Sequence, residues 1–185
     1  YSPELAVLFS KAIYSGDILP ILTDLYMADK DWKYKTRNKE DLIIPNISPS
    51  LLAATTPESL AKCMPVDAIG LGFAGRVIFV AERSAKLLPW QEKTTEMIEM
   101  EKKLANDLKH ISQLYGKIVV GIEEKEFFDH WYMHENRLNV VDPKLDPYLQ
   151  RRHDHLLKIA SLLIVNSSDK LELKQQHIKT ALAML

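Results

Sequence analysis

Cysteine is almost absent from this chain of 185 residues: Cys63 alone occurs, so no internal disulfide can form and no cysteine-based zinc site can be built. That usage fits a reducing cytoplasm, and Cys63 itself reads as a small apolar residue. Long apolar runs are missing too. Nothing approaches the roughly 18 apolar residues of a membrane span, and no charged segment followed by an apolar one forms a secretion signal. Charge of one sign is not in excess, with 24 Lys and Arg against 25 Asp and Glu for a net charge of -1, so any nucleic-acid surface has to be local. Internal repeats and low-complexity tracts are lacking. The opening Tyr1-Ser2-Pro3-Glu4-Leu5 has no initiator methionine and reads as the middle of a fold, which leads us to expect a fragment. What is present, 46% hydrophobic residues over this length, suffices for one ordinary core, or for a truncated core with a helical appendage.

Along the chain, Leu5, Leu8, Phe9, Ala12 and Ile13 recur at helical spacing up to Gly16, and Asp17 can cap a second helix through Leu22, Leu25 and Tyr26. Trp32-Lys33-Tyr34-Lys35-Thr36 alternates large and basic residues, a wholly polar stretch follows, and Leu42-Ile43-Ile44 is apolar; this predicts a β-hairpin with a charged tip. Residues 50–56 read as a buried strand, and Pro57 to Cys63 as a short helix capped by Thr56. The glycine-rich Gly70 to Arg76 leads into Val77-Ile78-Phe79-Val80, a run typical of a strand buried on both faces. Beyond Pro89-Trp90 the composition turns helical and charged, so a subdomain boundary is placed near Gln91. Leu104, Leu108, Ile111 and Leu114 form one face of a long helix ended by Gly116. A short strand is expected at 117–122, and an aromatic-faced helix with Phe127, Phe128, Trp131 and Tyr132 at 123–136. A loop then spans Asp142 to Pro147, and two helices fill 148–166 and 171–185. The fold class expected is α/β.

Leu51-Leu52-Ala53-Ala54-Thr55-Thr56-Pro57 followed by Gly72-Phe73-Ala74-Gly75-Arg76 resembles the strand and Gly-Phe-x-x-Arg turn of phage and plasmid primase-helicase ATPases, and more distantly the minichromosome-maintenance helicases. The resemblance is strongest from Ser48 to Val80 and thins beyond Gln91. It implies a partial P-loop NTPase core of AAA+ or RecA-like kind over 1–90, without its phosphate-binding loop, and a mostly helical lid over 91–185. It also implies an ATP- and Mg²⁺-dependent DNA helicase of phage or mobile-element replication. That motor would be a homo-oligomeric ring, a hexamer, acting on single-stranded or forked DNA in the cytoplasm.

The same resemblance assigns residues. Glu4 matches the carboxylate that orients the attacking water, although Pro3 stands where the family has its Mg²⁺-holding Asp; a Glu favourable to a helix dipole is the alternative. Thr56, with Thr55 beside it as a cofactor-binding neighbour, resembles sensor 1, where Asn is more usual; helix capping is the alternative. Arg76 resembles the arginine finger supplied to a neighbouring subunit, against a surface ion pair. Arg151 and Arg152 resemble the sensor 2 region at the start of a lid helix, without a choice between them. Lys33, Lys35, Arg37 and Lys39 resemble a pre-sensor-1 hairpin gripping DNA, with Glu40 and Asp41 partly cancelling the tip. A catalytically silent interaction module and a protein-remodelling ATPase are the rival readings. His130 and His134 have metal-ligand spacing, yet a surface or aromatic helix face explains them better, and no metal site is assigned. The charged run Glu96 to Lys103 reads as a solvated helix face.

Overall fold

The structure is a computed structural model that describes residues 5, 18–27, 31–34, 42–64, 72–81, 92–135 and 142–185. In chain order its elements are α1 (Ile18–Leu25), β1 (Trp32–Tyr34), β2 (Leu42–Ile44), α2 (Pro57–Cys63), α3 (Thr95–Ile111), β3 (Val119–Val120), α4 (Ile122–His134), α5 (Asp146–Ser167), β4 (Glu172–Leu173) and α6 (Gln175–Met184). Short 3₁₀ turns occupy Ala74–Arg76 and Pro143–Leu145. Among the described residues, helices therefore combine with two small two-stranded sheets, one antiparallel and one parallel. The chain divides into two compact units, Tyr1–Val77 with Val140–Arg151, and Ile78–Asn139 with Arg152–Leu185. No helix among the described residues is long and apolar enough to cross a membrane.

In the first unit, the expected hairpin is present, with Trp32 opposite Ile44, Lys33 opposite Ile43 and Tyr34 opposite Leu42. Its base is tied to α1, because the Trp32 indole N–H donates to the Asp24 carboxylate at 2.8 Å. Helix α2 starts where its residues dictate. Thr56 is extended and its hydroxyl accepts the Ser59 N–H at 3.1 Å, Pro57 sits where a missing N–H costs nothing, and Glu58 and Lys62 complement the two ends of the helix dipole. Leu5 and Phe73, 7% and 4% exposed, form the small core, against which Leu19, Leu22, Ala53, Leu60, Met64 and Val77 pack. The Leu5 N–H donates to the Ala54 carbonyl at 2.9 Å.

Two expected buried strands are not buried. Leu51 and Leu52 are 46% and 70% exposed, and the segment carries a single isolated bridge at Ala53. Ile78, Phe79 and Val80 are 40%, 48% and 89% exposed and join no ladder among the described residues. A strand is buried on both faces only when flanking strands take up its N–H and C=O groups, and among the described residues neither segment joins a ladder on both sides. The first expected helix, apart from Leu5, and the hairpin tip at 35–41 lie outside the described residues.

The second unit holds the larger core. Leu156, Ala160 and Ile164 recur every fourth residue on α5 and are fully or almost fully buried. They meet Trp131 of α4, Leu173 of β4, and Ile178 and Ala181 of α6, with Phe127, Phe128, Ile159, Leu163 and Leu182 at the margin. The aromatic residues of α4 thus serve the core, with Tyr132 at its exposed edge. The strand expected at 117–122 shrinks to β3, whose partner comes from a stretch read as helix: Val119 and Val120 pair in parallel with Glu172 and Leu173. Alternation decides this, since Glu172 faces outward while Leu173 enters the core. Helix α6 then begins at Gln175, where the His177 ring nitrogen accepts the Lys174 N–H at 3.2 Å and the His177 N–H donates to the Lys174 carbonyl at 2.9 Å. Helix α3 ends at Ile111, ahead of Gly116, because Ser112 closes it through its hydroxyl on the Lys109 carbonyl at 2.7 Å.

Truncating Leu156 to Ala leaves a cavity walled by the surrounding helices, so Leu156→Ala is expected to destabilise the second unit by about 2–5 kcal/mol in urea unfolding. A loss below about 1 kcal/mol would show that α5 is not the centre of this core.

Candidate functional site

Arg76 ends the 3₁₀ turn Ala74–Arg76, which is anchored by buried Phe73 and bounded by Gly72 at φ 81°. A positive φ of this size favours glycine; a Cβ on Gly72 would lie 2.8 Å from an Arg76 guanidinium nitrogen, the movable end of a flexible side chain. That nitrogen, Nη1, donates to the Gly72 carbonyl at 2.8 Å, so the side chain is folded over its own turn. Gly75 is buried for a different reason. A Cβ there would stand 2.5 Å from the Pro147 carbonyl oxygen, so only glycine lets this turn press against the first turn of α5.

That close approach places two arginines about one ring. The Arg76 guanidinium lies over Tyr26 at 5.7 Å from the ring centroid, and the Arg151 guanidinium lies over the same ring at 5.8 Å. Arg151 also points Nη1 at the Met27 thioether, 3.5 Å away. Contacts of this kind contribute about 0.5–1 kcal/mol each when partly exposed, enough to bias where a long side chain rests. Beside them is a cavity of about 340 Å³ lined by Pro20, Thr23, Asp24, Met27 and Arg76. Its charged groups are the Arg76 cation and the Asp24 carboxylate that accepts from Trp32.

The remaining sequence-derived positions are spread more widely. Arg152, next to Arg151, turns instead to Trp131, with its guanidinium 5.6 Å from the ring. Thr56 is exposed at the start of α2, where its hydroxyl caps the helix, and Thr55 is half-buried beside it. Leu60 of α2 and Phe73 before the arginine turn share one core, which ties the two elements together. Lys33 is exposed on β1. Glu4, Lys35, Arg37 and Lys39 lie outside the described residues. His130 and His134 are exposed with rings 4.8 Å apart, and Tyr132 meets His153 edge-on at 5.2 Å. Among the described residues no three or more His, Cys, Asp or Glu side chains gather to hold a metal ion.

Tyr26, Met27 and Asp24 were not legible as site residues in the sequence, where Tyr26 reads as one more apolar position of a helix. A signal was available only in retrospect: an aromatic and a methionine at the C-terminal end of α1 form a landing surface for cations from distant segments. No protein-family model matches the chain, and no curated protein or solved structure matches it.

Because the clash at residue 75 would be with backbone, Gly75→Ala is expected to lower stability by about 1–3 kcal/mol, measured as a shifted urea midpoint. An unchanged midpoint would mean that the arginine turn does not pack on the start of α5.

Proposed function

We propose that the chain is part of an ATP-driven DNA helicase or primase-helicase motor of phage or mobile-element replication. In this reading residues 1–90 belong to a P-loop NTPase core of AAA+ or RecA-like type, and residues 91–185 form its helical lid. The carrying observation is the convergence of Arg76 and Arg151 on Tyr26, at 5.7 and 5.8 Å, from segments 75 residues apart in sequence. Two planar cations held near one another suit a polyanion such as a triphosphate, whose oxygens each accept charge-assisted hydrogen bonds. Arg76 takes the part of the finger that compensates charge on the transferring phosphoryl group, and Arg151, rather than Arg152, takes the part of the second sensor. The contact of Arg152 with Trp131 favours that choice.

Thr56 fits a supporting role. Its hydroxyl oxygen accepts from Ser59, and the hydroxyl proton can still be donated to water or a phosphate oxygen, with Thr55 alongside. Glu4 would orient the attacking water. In the full-length protein Mg²⁺ would help neutralise the nucleotide's phosphates. Lys33, Lys35, Arg37 and Lys39 on the hairpin would grip the backbone of single-stranded or forked DNA in the channel of a homo-oligomeric ring, with the hairpin base fixed by the Trp32 bond to Asp24. A second reading, an interaction module without hydrolysis, is favoured by the capping use of Thr56 and by the folding of Arg76 onto Gly72.

Two experiments on the full-length protein separate these readings. Arg76→Ala is expected to reduce ATP turnover by about 10³-fold or more while the Kd for ATP stays nearly unchanged, because the loss is in transition-state charge compensation. Normal turnover would remove Arg76 from the site. Replacing Lys35 and Arg37 together by Ala is expected to weaken DNA binding and to flatten its salt dependence by roughly 1.4 in log–log slope for single strands. An unchanged slope would mean that the hairpin does not touch phosphate.

A further inference from the structure

Six histidines occur in the chain, and four of them are engaged by other groups or buried. His110 meets Asp169 at 2.9 Å, His153 meets Asp154 at 3.4 Å and Tyr132 edge-on, His177 bonds the Lys174 N–H and the Ser167 hydroxyl, and His155 is buried in α5. His130 and His134 differ. Both are exposed on the last two turns of α4, and among the described residues each ring is in contact with the other. Trp131, next to His130, is 3% exposed and packs in the core of the second unit, so the backbone that carries the pair is held in place. Residues four apart on a helix lie one above the other, yet that spacing alone assigns no site. The ring positions add an independent measure. Imidazole nitrogen binds Zn²⁺ at about 2.0–2.1 Å, which sets each ring centroid about 3.2 Å from the metal. Two rings on one ion then lie about 4.5 Å apart, centre to centre, for an angle at the metal of about 90°, and about 5.2 Å apart for the tetrahedral angle. The observed separation of 4.8 Å falls between these limits, with the ring planes tilted by 46° rather than stacked.

We propose that His130 and His134 form a two-imidazole chelate for a late first-row divalent cation of the Zn²⁺ class. Among the described residues no third His, Cys, Asp or Glu joins them, so water completes the coordination shell. Imidazole suits Zn²⁺, Ni²⁺ and Cu²⁺, whereas Mg²⁺ takes oxygen ligands. The site is therefore separate from the Mg²⁺ of the nucleotide reading and does not rest on that reading. A bound ion bridges successive turns at the C-terminal end of α4. Because Trp131 of the same turns is part of the core, binding there stabilises the folded second unit over the unfolded chain, in which the two rings are not held together.

Calorimetric titration of the untagged chain with Zn²⁺ alone, without nucleotide or DNA, is the first test, in a Cys63→Ala background that removes the single thiol. One ion per chain is expected. His130→Gln and His134→Gln should each weaken binding at least about tenfold, because either change leaves a single donor, while His153→Gln should leave the affinity unchanged. Both positions are exposed, so the far-ultraviolet circular dichroism spectrum of each variant should stay helical. Zn²⁺ should also raise the thermal unfolding midpoint of the parent and not that of His134→Gln. With Cu²⁺ as the probe, electron paramagnetic resonance should show two nitrogen ligands in the parent and one in either single variant. Zn²⁺ binding weaker than about 1 mM, a smaller loss in both single variants, a loss in His153→Gln instead, or one nitrogen ligand in the parent would each overturn the proposal. None of these readouts involves ATP turnover or DNA, so failure of the motor reading and failure of this one are separately visible.

Discussion

The close approach of Gly75 to the Pro147 carbonyl is the constraint on which the candidate site depends. Every larger residue would place a carbon inside the backbone of the first turn of α5. With glycine there, residues 72–76 and 142–151 pack as parts of one unit although about 70 positions separate them. Arg76 and Arg151 consequently reach the same tyrosine. Neither cation–π contact is strong alone, so the pairing is a product of backbone proximity, with Tyr26 selecting where the guanidiniums rest.

The two units are built with different reserves of apolar burial. In the second, the every-fourth-residue stripe of α5 meets α4, α6 and β4, and several side chains are wholly withdrawn from water. In the first, Leu5 and Phe73 are the buried centre, and many large apolar side chains stay exposed, among them Leu42, Ile43, Leu51 and Leu52. In the second unit, Met97, Met100, Leu104 and Leu108 of α3 are exposed as well.

The electrostatics of the candidate site are set by proximity more than by burial. Asp24 lines the cavity beside Arg76, yet its carboxylate is directed to the Trp32 indole, which fixes the base of the hairpin to α1. Helix α1, which lines that cavity together with Arg76, is in this way joined to the base of the hairpin.

Local residue chemistry determined much of the secondary structure. Thr56-Pro57 starts a helix because a hydroxyl can cap and a proline needs no N–H partner; Thr94 and Asp142 mark other starts by the same local bonding; the alternation from Trp32 pairs with Leu42-Ile43-Ile44 because period two suits a hairpin. The apolar stripe of α5 and the aromatic face of α4 are legible for the same reason, their spacing matching one helical face. Where the outcome required a distant partner, local pattern was insufficient. Residues 51–52 and 78–80 have the composition of buried strands but lie exposed, because burial needs neighbouring strands that composition cannot supply; Glu172-Leu173 became a strand because Val119-Val120 offered free backbone groups beside it. The sequence also left Arg151 and Arg152 equivalent. Only tertiary structure divided them, sending one to Tyr26 and the other to Trp131, since adjacent residues on a helix point about 100° apart and meet whatever the rest of the chain has placed there.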